Sequence, residues 1–258
     1  MDHGTVFAGT VSVQTAAHAD GLVLLELEAP PQFQTAKAGQ FVMLASERAD
    51  MPLLPRPFSI LSVGTTLSLG FAVVGEGTRV LAKAQAGDDL YLMGPLGTVY
   101  APDARPVLIV ADASHFGTPL GLARALAGEA TVVFVTRPSD QRPCPYDDAV
   151  TAAHQDAAAL ALFAETGASV ETVALDGLKA CLEGQAPGTV CAGASDPVMA
   201  VLQQVAEAKG WPGEVSLQAP MACAVGACEV CIRPTRDGRW LKVCEGPVVP
   251  LQTPRFQP

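Results

Sequence analysis

The stretch Met221-Ala222-Cys223-Ala224-Val225-Gly226-Ala227-Cys228-Glu229-Val230-Cys231 sets three cysteines four and then two residues apart, and a fourth, Cys244, follows after twelve more. This is the C-x4-C-x2-C…C spacing of plant-type [2Fe–2S] sites. Thiolates converging on a two-iron unit of negative surface need a tightly curled loop whose backbone N–H groups aim at sulfur. Small residues permit the curl, and Ala222, Ala224, Gly226 and Ala227 supply them. The excursion through residues 235–241 returns a strand-like segment to close the cage, and Glu245-Gly246-Pro247 then reads as a turn. Four-thiolate zinc is the alternative occupant. Zinc ligands usually come as two close doublets, however, whereas these are a triplet plus one.

Working outward, residues 213–258 form a Gly-, Pro- and Cys-rich tail too short to be stable on apolar burial alone, so a bound cluster is expected to staple it. Upstream, over 102–212, apolar runs at 107–110, 132–135 and 170–175 alternate with Ala- and Leu-rich segments at 119–127, 147–165 and 197–208. Strand followed by helix, repeated, predicts a parallel-sheet α/β domain of the nucleotide-binding kind. Residues 1–101 change rhythm again. Short alternating runs such as Leu67-Ser68-Leu69-Gly70-Phe71-Ala72-Val73, cut by Gly, Pro and Asp turns, predict an antiparallel barrel. The fold class is therefore multidomain, β followed by α/β.

With 258 residues, 49% of them apolar, the chain can build two cores. Its 26 acidic and 16 basic residues give a charge of -10, and the scattered basic side chains argue against nucleic acid as a partner. No apolar run approaches the ~20 residues of a membrane span. Met1-Asp2-His3-Gly4 lacks the basic start of a secretory signal, so a cytoplasmic protein is expected. Seven cysteines is an odd count. Cys144, Cys181 and Cys191 lie far apart, which disfavours a disulfide framework. Cys191 reads as a buried strand thiol and His115 as a surface turn residue.

Two segments of the barrel carry chemistry. In Pro55-Arg56-Pro57-Phe58-Ser59 the Arg can fork onto a diphosphate, Pro57 removes a competing N–H, and the Ser59 hydroxyl can reach a flavin ring nitrogen. Gly75-Glu76-Gly77-Thr78 opens a short helical segment whose bare amides suit phosphate. Their order, with Gly39-Gln40-Phe41 before them and Gly94-Pro95-Leu96-Gly97 after, resembles the ferredoxin reductase superfamily. Adding Met221-Ala222-Cys223 and Val243-Cys244-Glu245-Gly246-Pro247-Val248 narrows the resemblance to the electron-transfer subunits of type B dihydroorotate dehydrogenase, over nearly the whole chain.

That resemblance implies an FAD barrel, a nicotinamide-binding α/β domain and a [2Fe–2S] tail docked on a separate FMN-containing catalytic subunit in a heterotetramer serving pyrimidine biosynthesis. The chain would carry electrons between that partner and an acceptor, without binding dihydroorotate and with no catalytic residue of its own. Arg56, Pro57, Phe58 and Ser59 would touch FAD; Gly70, Phe71 and Ala72 would line its ring and ribityl side; Gly77 and Thr78 would hold phosphate; and Cys223, Cys228, Cys231 and Cys244 would bind the cluster. Three departures stand out. Ala72 replaces the family's Arg, and Ala111-Asp112-Ala113-Ser114-His115-Phe116-Gly117-Thr118-Pro119 replaces its Gly-Gly-Gly-x-Gly-x-Ala-Pro turn. Ala194-Ser195-Asp196 replaces Cys-Gly-Pro. Side chains crowd the turn and Asp112 is expected to repel a pyrophosphate, so NAD is expected to bind poorly or not at all. Two other readings share the fold: a reductase subunit for a hydrogenase or ferredoxin-linked partner, and a non-catalytic regulatory subunit.

Overall fold

The computed structural model describes residues 6–48, 50, 52–138 and 151–256. Cys144 and the start of the segment read as helical at 147–165 lie outside them. Six strands build the first domain: β1 (Phe7–Ala19), β2 (Leu22–Glu28), β3 (Phe41–Ser46), β4 (Arg56–Val63), β5 (Thr66–Ala72) and, after the short helix α1 (Glu76–Leu81), β6 (Asp89–Leu96); β2 and β6 alternate in burial, whereas β3 and β5 carry continuous buried runs. They close into an antiparallel barrel in the order β1-β2-β5-β4-β3-β6. Its interior is filled by Leu25, Leu27, Phe33, Leu44, Leu67, Leu69 and their neighbours.

The α/β domain follows as β7 (Val107–Ala111), α2 (Gly117–Leu126), β8 (Ala130–Thr136), α3 (Ala152–Ala164), β9 (Ser169–Ala174), α4 (Leu178–Glu183), β10 (Thr189–Gly193), α5 (Asp196–Lys209) and β11 (Gly213–Ser216). The apolar run of β7 and the whole of β10, which opens on Thr189, are buried at every position, as strands covered on both faces must be. The hairpin β12 (Ile232–Pro234) and β13 (Trp240–Lys242) and the last strand β14 (Val248–Pro250) complete the chain.

The sheet order is β14-β11-β10-β7-β8-β9, parallel except for β14. Two strands from the segment read as a separate tail therefore belong to the α/β sheet. Each is only three or four residues long. Sequence periodicity does not register runs that short, whereas backbone pairing to β10 and burial of Val215 do.

Barrel and sheet are laced together. Thr98 Oγ1 donates to Val248 O at 2.8 Å and accepts from Val248 N at 3.0 Å, and Tyr100 OH donates to Ala192 O at 2.6 Å. Helix α2 lies directly on β4, because a Cβ at Gly121 would sit 2.7 Å from Ile60 O. This contact sets the start of α2 beside the barrel residues of the site.

Candidate functional site

A cleft of about 290 Å3 opens between the barrel and the α/β domain. Of the nine residues expected at a flavin, Arg56, Pro57, Phe58, Ser59, Gly70, Phe71, Ala72 and Thr78 all line it. The opposite wall is Ser114, His115, Phe116 and Gly117 from the turn between β7 and α2, Arg137 from the end of β8, Gln155 from α3, and Gln218 beyond β11.

Gly77 does not line the cleft but explains how Arg56 reaches it. A Cβ there would come within 2.5 Å of Arg56 Nε and 2.9 Å of its Cζ, so the guanidinium lies across the bare backbone. Arg56 Nη1 also donates to Leu54 O at 2.6 Å, which braces the side chain. Thr78 shapes the turn: its hydroxyl accepts from Val74 N and Gly75 N at 3.0 Å each and donates to Gly75 O at 2.8 Å. That hydroxyl is committed to the turn, and the Arg56 guanidinium lies against it across Gly77. Phe58 and Phe71 stack with ring centroids 4.5 Å apart, and Ser59 faces the first residue of α2, where a Cβ on Gly117 would lie 3.0 Å from its Oγ.

Asp112 does not face the cleft as expected. It is 1% exposed and turned inward, accepting from Ser195 N at 2.8 Å, Ser114 N at 3.0 Å, Ser114 Oγ at 2.5 Å and His115 N at 3.2 Å. Burial alone would push this carboxyl up. The donors His115, Ser114 and Ser195 outweigh burial and hold it well below the usual carboxylate range. The carboxylate is thus a clamp joining the ends of β7 and β10, its charge answered by these donors rather than turned toward the cleft. His115, expected to be a surface turn residue, lines the cleft, with Nδ1 2.7 Å from Ser114 Oγ. Asp196 is engaged elsewhere, paired with Arg233 Nη2 at 2.6 and 2.7 Å. Cys191 is fully buried and its thiol is pushed up to about 12, chiefly by burial, as a strand thiol should be.

The four cysteines of the tail stand as two pairs. Cys228 N donates to Cys223 Sγ and Cys244 N donates to Cys231 Sγ, each at 3.4 Å, and Val225 N points at Cys223 Sγ at 3.5 Å. Positive φ at Ala224, Gly226 and Glu229 makes the curl that aims these amides. The Cys223 thiol is lowered to about 6, first by Val225 N–H and then by Cys228; Cys244 is raised to about 11, first by burial and then by Cys231. Among the described residues no group of three or more such side chains is gathered around a single ion. Two pairs, each with backbone N–H groups on sulfur, fit a two-iron unit that takes two thiolates per iron. Lys242 Nζ donates to Gly226 O at 2.7 Å and ties the hairpin to the loop.

A smaller pocket of about 80 Å3 lies between the cleft and the cysteine loop, bounded by Pro57, Phe58, Ser59, Gln218 and Met221. Gln218 touches both cavities, so the segment after β11 runs from the cleft wall to the cysteines. Around the loop, Val225, Val230, Ile232 and Trp240 are exposed, Trp240 and Val225 by 64% each.

These features define a class: a barrel and α/β pair of the ferredoxin reductase fold, extended by an iron–sulfur-binding tail. A solved NADH-dependent reduced ferredoxin-NADP oxidoreductase superposes with TM-score 0.75 at 19% identity, covering 98% of this chain and 91% of that one. A ferredoxin NADP+ reductase from Neisseria gonorrhoeae with bound FAD and NADP superposes with TM-score 0.55 at 15% identity, covering 86% and 95%. Residues 218–253 match the iron-sulfur cluster binding domain of dihydroorotate dehydrogenase B. The dihydroorotate dehydrogenase B (NAD(+)) electron transfer subunit of Desulforamulus reducens is 31% identical over 245 residues, covering 88% of this chain and 89% of the relative. That of Listeria monocytogenes is 31% identical over 223 residues, covering 81% and 84%. The chain belongs to the family of dihydroorotate dehydrogenase B electron transfer subunits.

The Asp112 clamp predicts a pH signature. Its folded pKa is depressed, so its contribution to stability is complete above its unfolded value, near 3.9, and is lost as pH falls through the folded value. Asp112→Asn sets its NH2 against Ser195 N or, flipped, against Ser114 N and His115 N, and is expected to cost about 2 kcal/mol, or about 4–8 °C in Tm at neutral pH. The gap should narrow as pH drops below about 4. Thermal melts of both proteins over that range check this, and a gap independent of pH would count against a charged clamp.

Proposed function

We propose that this chain moves electrons between an FMN-containing dehydrogenase subunit and an acceptor, using a [2Fe–2S] cluster on Cys223, Cys228, Cys231 and Cys244 and FAD in the cleft. The observation that carries the reading is the convergence of eight expected flavin residues on one cleft whose wall runs, through Gln218, to the cysteine loop. The flavin, when bound, interconverts electron pairs and single electrons, and the cluster carries single electrons. The chain's own residues bind and orient these groups. Arg56, held over Gly77, neutralises phosphate; Ser59 offers a hydroxyl to the ring; the amides of Val225, Cys228 and Cys244 stabilise sulfur charge.

The partner docks on the face carrying Val225, Val230, Ile232 and Trp240. Apolar side chains exposed beside a redox centre suit the dry core of an interface, and a relay needs its centres close. Thiolates held for a cluster suit a reducing compartment, and we place the protein in the cytoplasm. No described helix is long and apolar enough to cross a membrane.

Protein purified without oxygen should show a visible iron–sulfur spectrum, with about two irons and two sulfides per chain. Cys228→Ser should bleach it and lower the melting temperature of the tail; one zinc with neither iron nor sulfide would sink the cluster reading. Arg56→Ala should weaken flavin binding about tenfold to a hundredfold, since a charge-assisted contact to phosphate contributes about 1.5–3 kcal/mol. Equilibrium dialysis measures this, and unchanged retention of FAD would remove Arg56 from the site. Trp240→Glu should abolish co-elution with the FMN subunit on size exclusion while leaving the visible spectrum intact. An undiminished complex peak would place the interface elsewhere.

A further inference from the structure

A lysine crosses between the two cysteine pairs, and its contacts single out one peptide of the loop. Lys242 lies on β13 opposite Ile232 of β12, so it stands one step in register from Cys231 and two residues before Cys244. Its ammonium leaves that pair and reaches the other: Nζ donates to Gly226 O at 2.7 Å, inside the loop that carries Cys223 and Cys228. Two carboxylates flank it, with Glu229 Oε1 at 3.5 Å and Glu245 Oε1 at 3.8 Å. The lysine side chain is 31% exposed against 68% and 62% for theirs, which makes the ammonium the least screened of the three charges. Arg233, Arg236 and Arg239 pair instead with Asp196, Glu207 and Asp237.

The carbonyl of Gly226 and the N–H of Ala227 belong to one peptide group. That N–H is among the donors that lower the Cys223 thiol, after Val225 N–H and Cys228. An ammonium on the oxygen end of a peptide draws electron density from its N–H end, which strengthens the hydrogen bond from that N–H to sulfur. The same contact fixes which way the peptide points. Gly226 has φ +76°, and a Cβ there would meet Glu245 Cδ at 3.1 Å, so the position requires glycine. Glycine has the widest backbone freedom of any residue, and Lys242 supplies the restraint that a side chain cannot. Gly226 N–H acts in turn on Cys244, where burial is the larger influence and raises the thiol. One residue, held by Lys242, thus serves both pairs.

Hydrogen bonds to the sulfurs and the net charge around an iron–sulfur cluster set its reduction potential. Reduction adds an electron to a group that is already negative, so a donor aimed at sulfur and a cation against the loop both favour the reduced form. We propose that Lys242 is a positioning residue that raises the reduction potential of the cluster, by holding the Gly226–Ala227 peptide with its N–H toward Cys223 and by placing its charge against the cysteine loop, while Glu229 and Glu245 moderate that charge. This deepens the cluster reading and rests on it.

The full-length chain, purified without oxygen, is titrated against applied potential and followed by electron paramagnetic resonance, as the parent, Lys242→Met, Lys242→Arg and Glu245→Gln. At the parent's midpoint the ratio of reduced to oxidised cluster should fall about tenfold in the Met variant, which is a midpoint about 59 mV lower for one electron. Arg keeps both charge and donor and should recover most of that loss, whereas Gln at 245 removes a flanking negative charge and should raise the ratio. An unchanged midpoint in a Met variant that carries its full iron would overturn the proposal. So would an Arg variant that falls as far as Met. If the Met variant does not hold iron, Glu245→Gln decides alone, and a midpoint no higher than the parent's overturns the proposal. A parent with neither iron nor sulfide brings down the cluster reading and this proposal together, whereas a loaded parent whose midpoint ignores all three substitutions brings down the role of Lys242 alone.

Discussion

The structure turns on the pairing of two short strands, with Ser216 opposite Val248. The chain leaves the α/β sheet at one of these residues and returns at the other, so residues 217–247 form a loop closed at its base. Everything the tail does depends on that closure. It holds the cysteine loop at a fixed place on the molecule, lays Gln218 and Met221 along the flank of the cleft, and presents Val248 to Thr98 of the barrel. Polar ties such as Arg233 to Asp196, Arg236 to Glu207 and Lys242 to Gly226 trim a geometry the backbone pairing has already set.

A cleft built from two domains is only as well defined as the joint between them. Here the barrel wall is rigid through β-pairing, and the α/β wall is made of strand ends, which are loops by nature. Asp112 compensates by gathering Ser114, His115 and Ser195 onto one buried carboxylate. Arg137 and Asp156 do the same for the ends of β8 and α3. Each device uses charge in a place shielded from water, where hydrogen bonds to it are strong and directional. Gly121 adds the steric part by letting α2 approach β4 at backbone distance.

The barrel side of the site was legible because its chemistry lies in two contiguous motifs, and the cysteines because their spacing is itself the geometry. The opposite wall was not. Arg137, Gln155 and Gln218 are single residues at the ends of separate elements, and only the crossing pattern of a parallel sheet brings them together. The direction of the Asp112 side chain was hidden for a related reason: two local amides, the Ser114 hydroxyl and one distant amide determine it. Strands β11 and β14 were missed because the runs are short and flanked by Pro, although Val215 and Val248 are buried.

The tie between Thr98 and Val248 joins residues 150 apart in sequence. During synthesis the barrel is complete long before Val248 leaves the ribosome, and until then β11 offers an unpaired edge. The base of the cysteine loop therefore cannot close until both domains have been made.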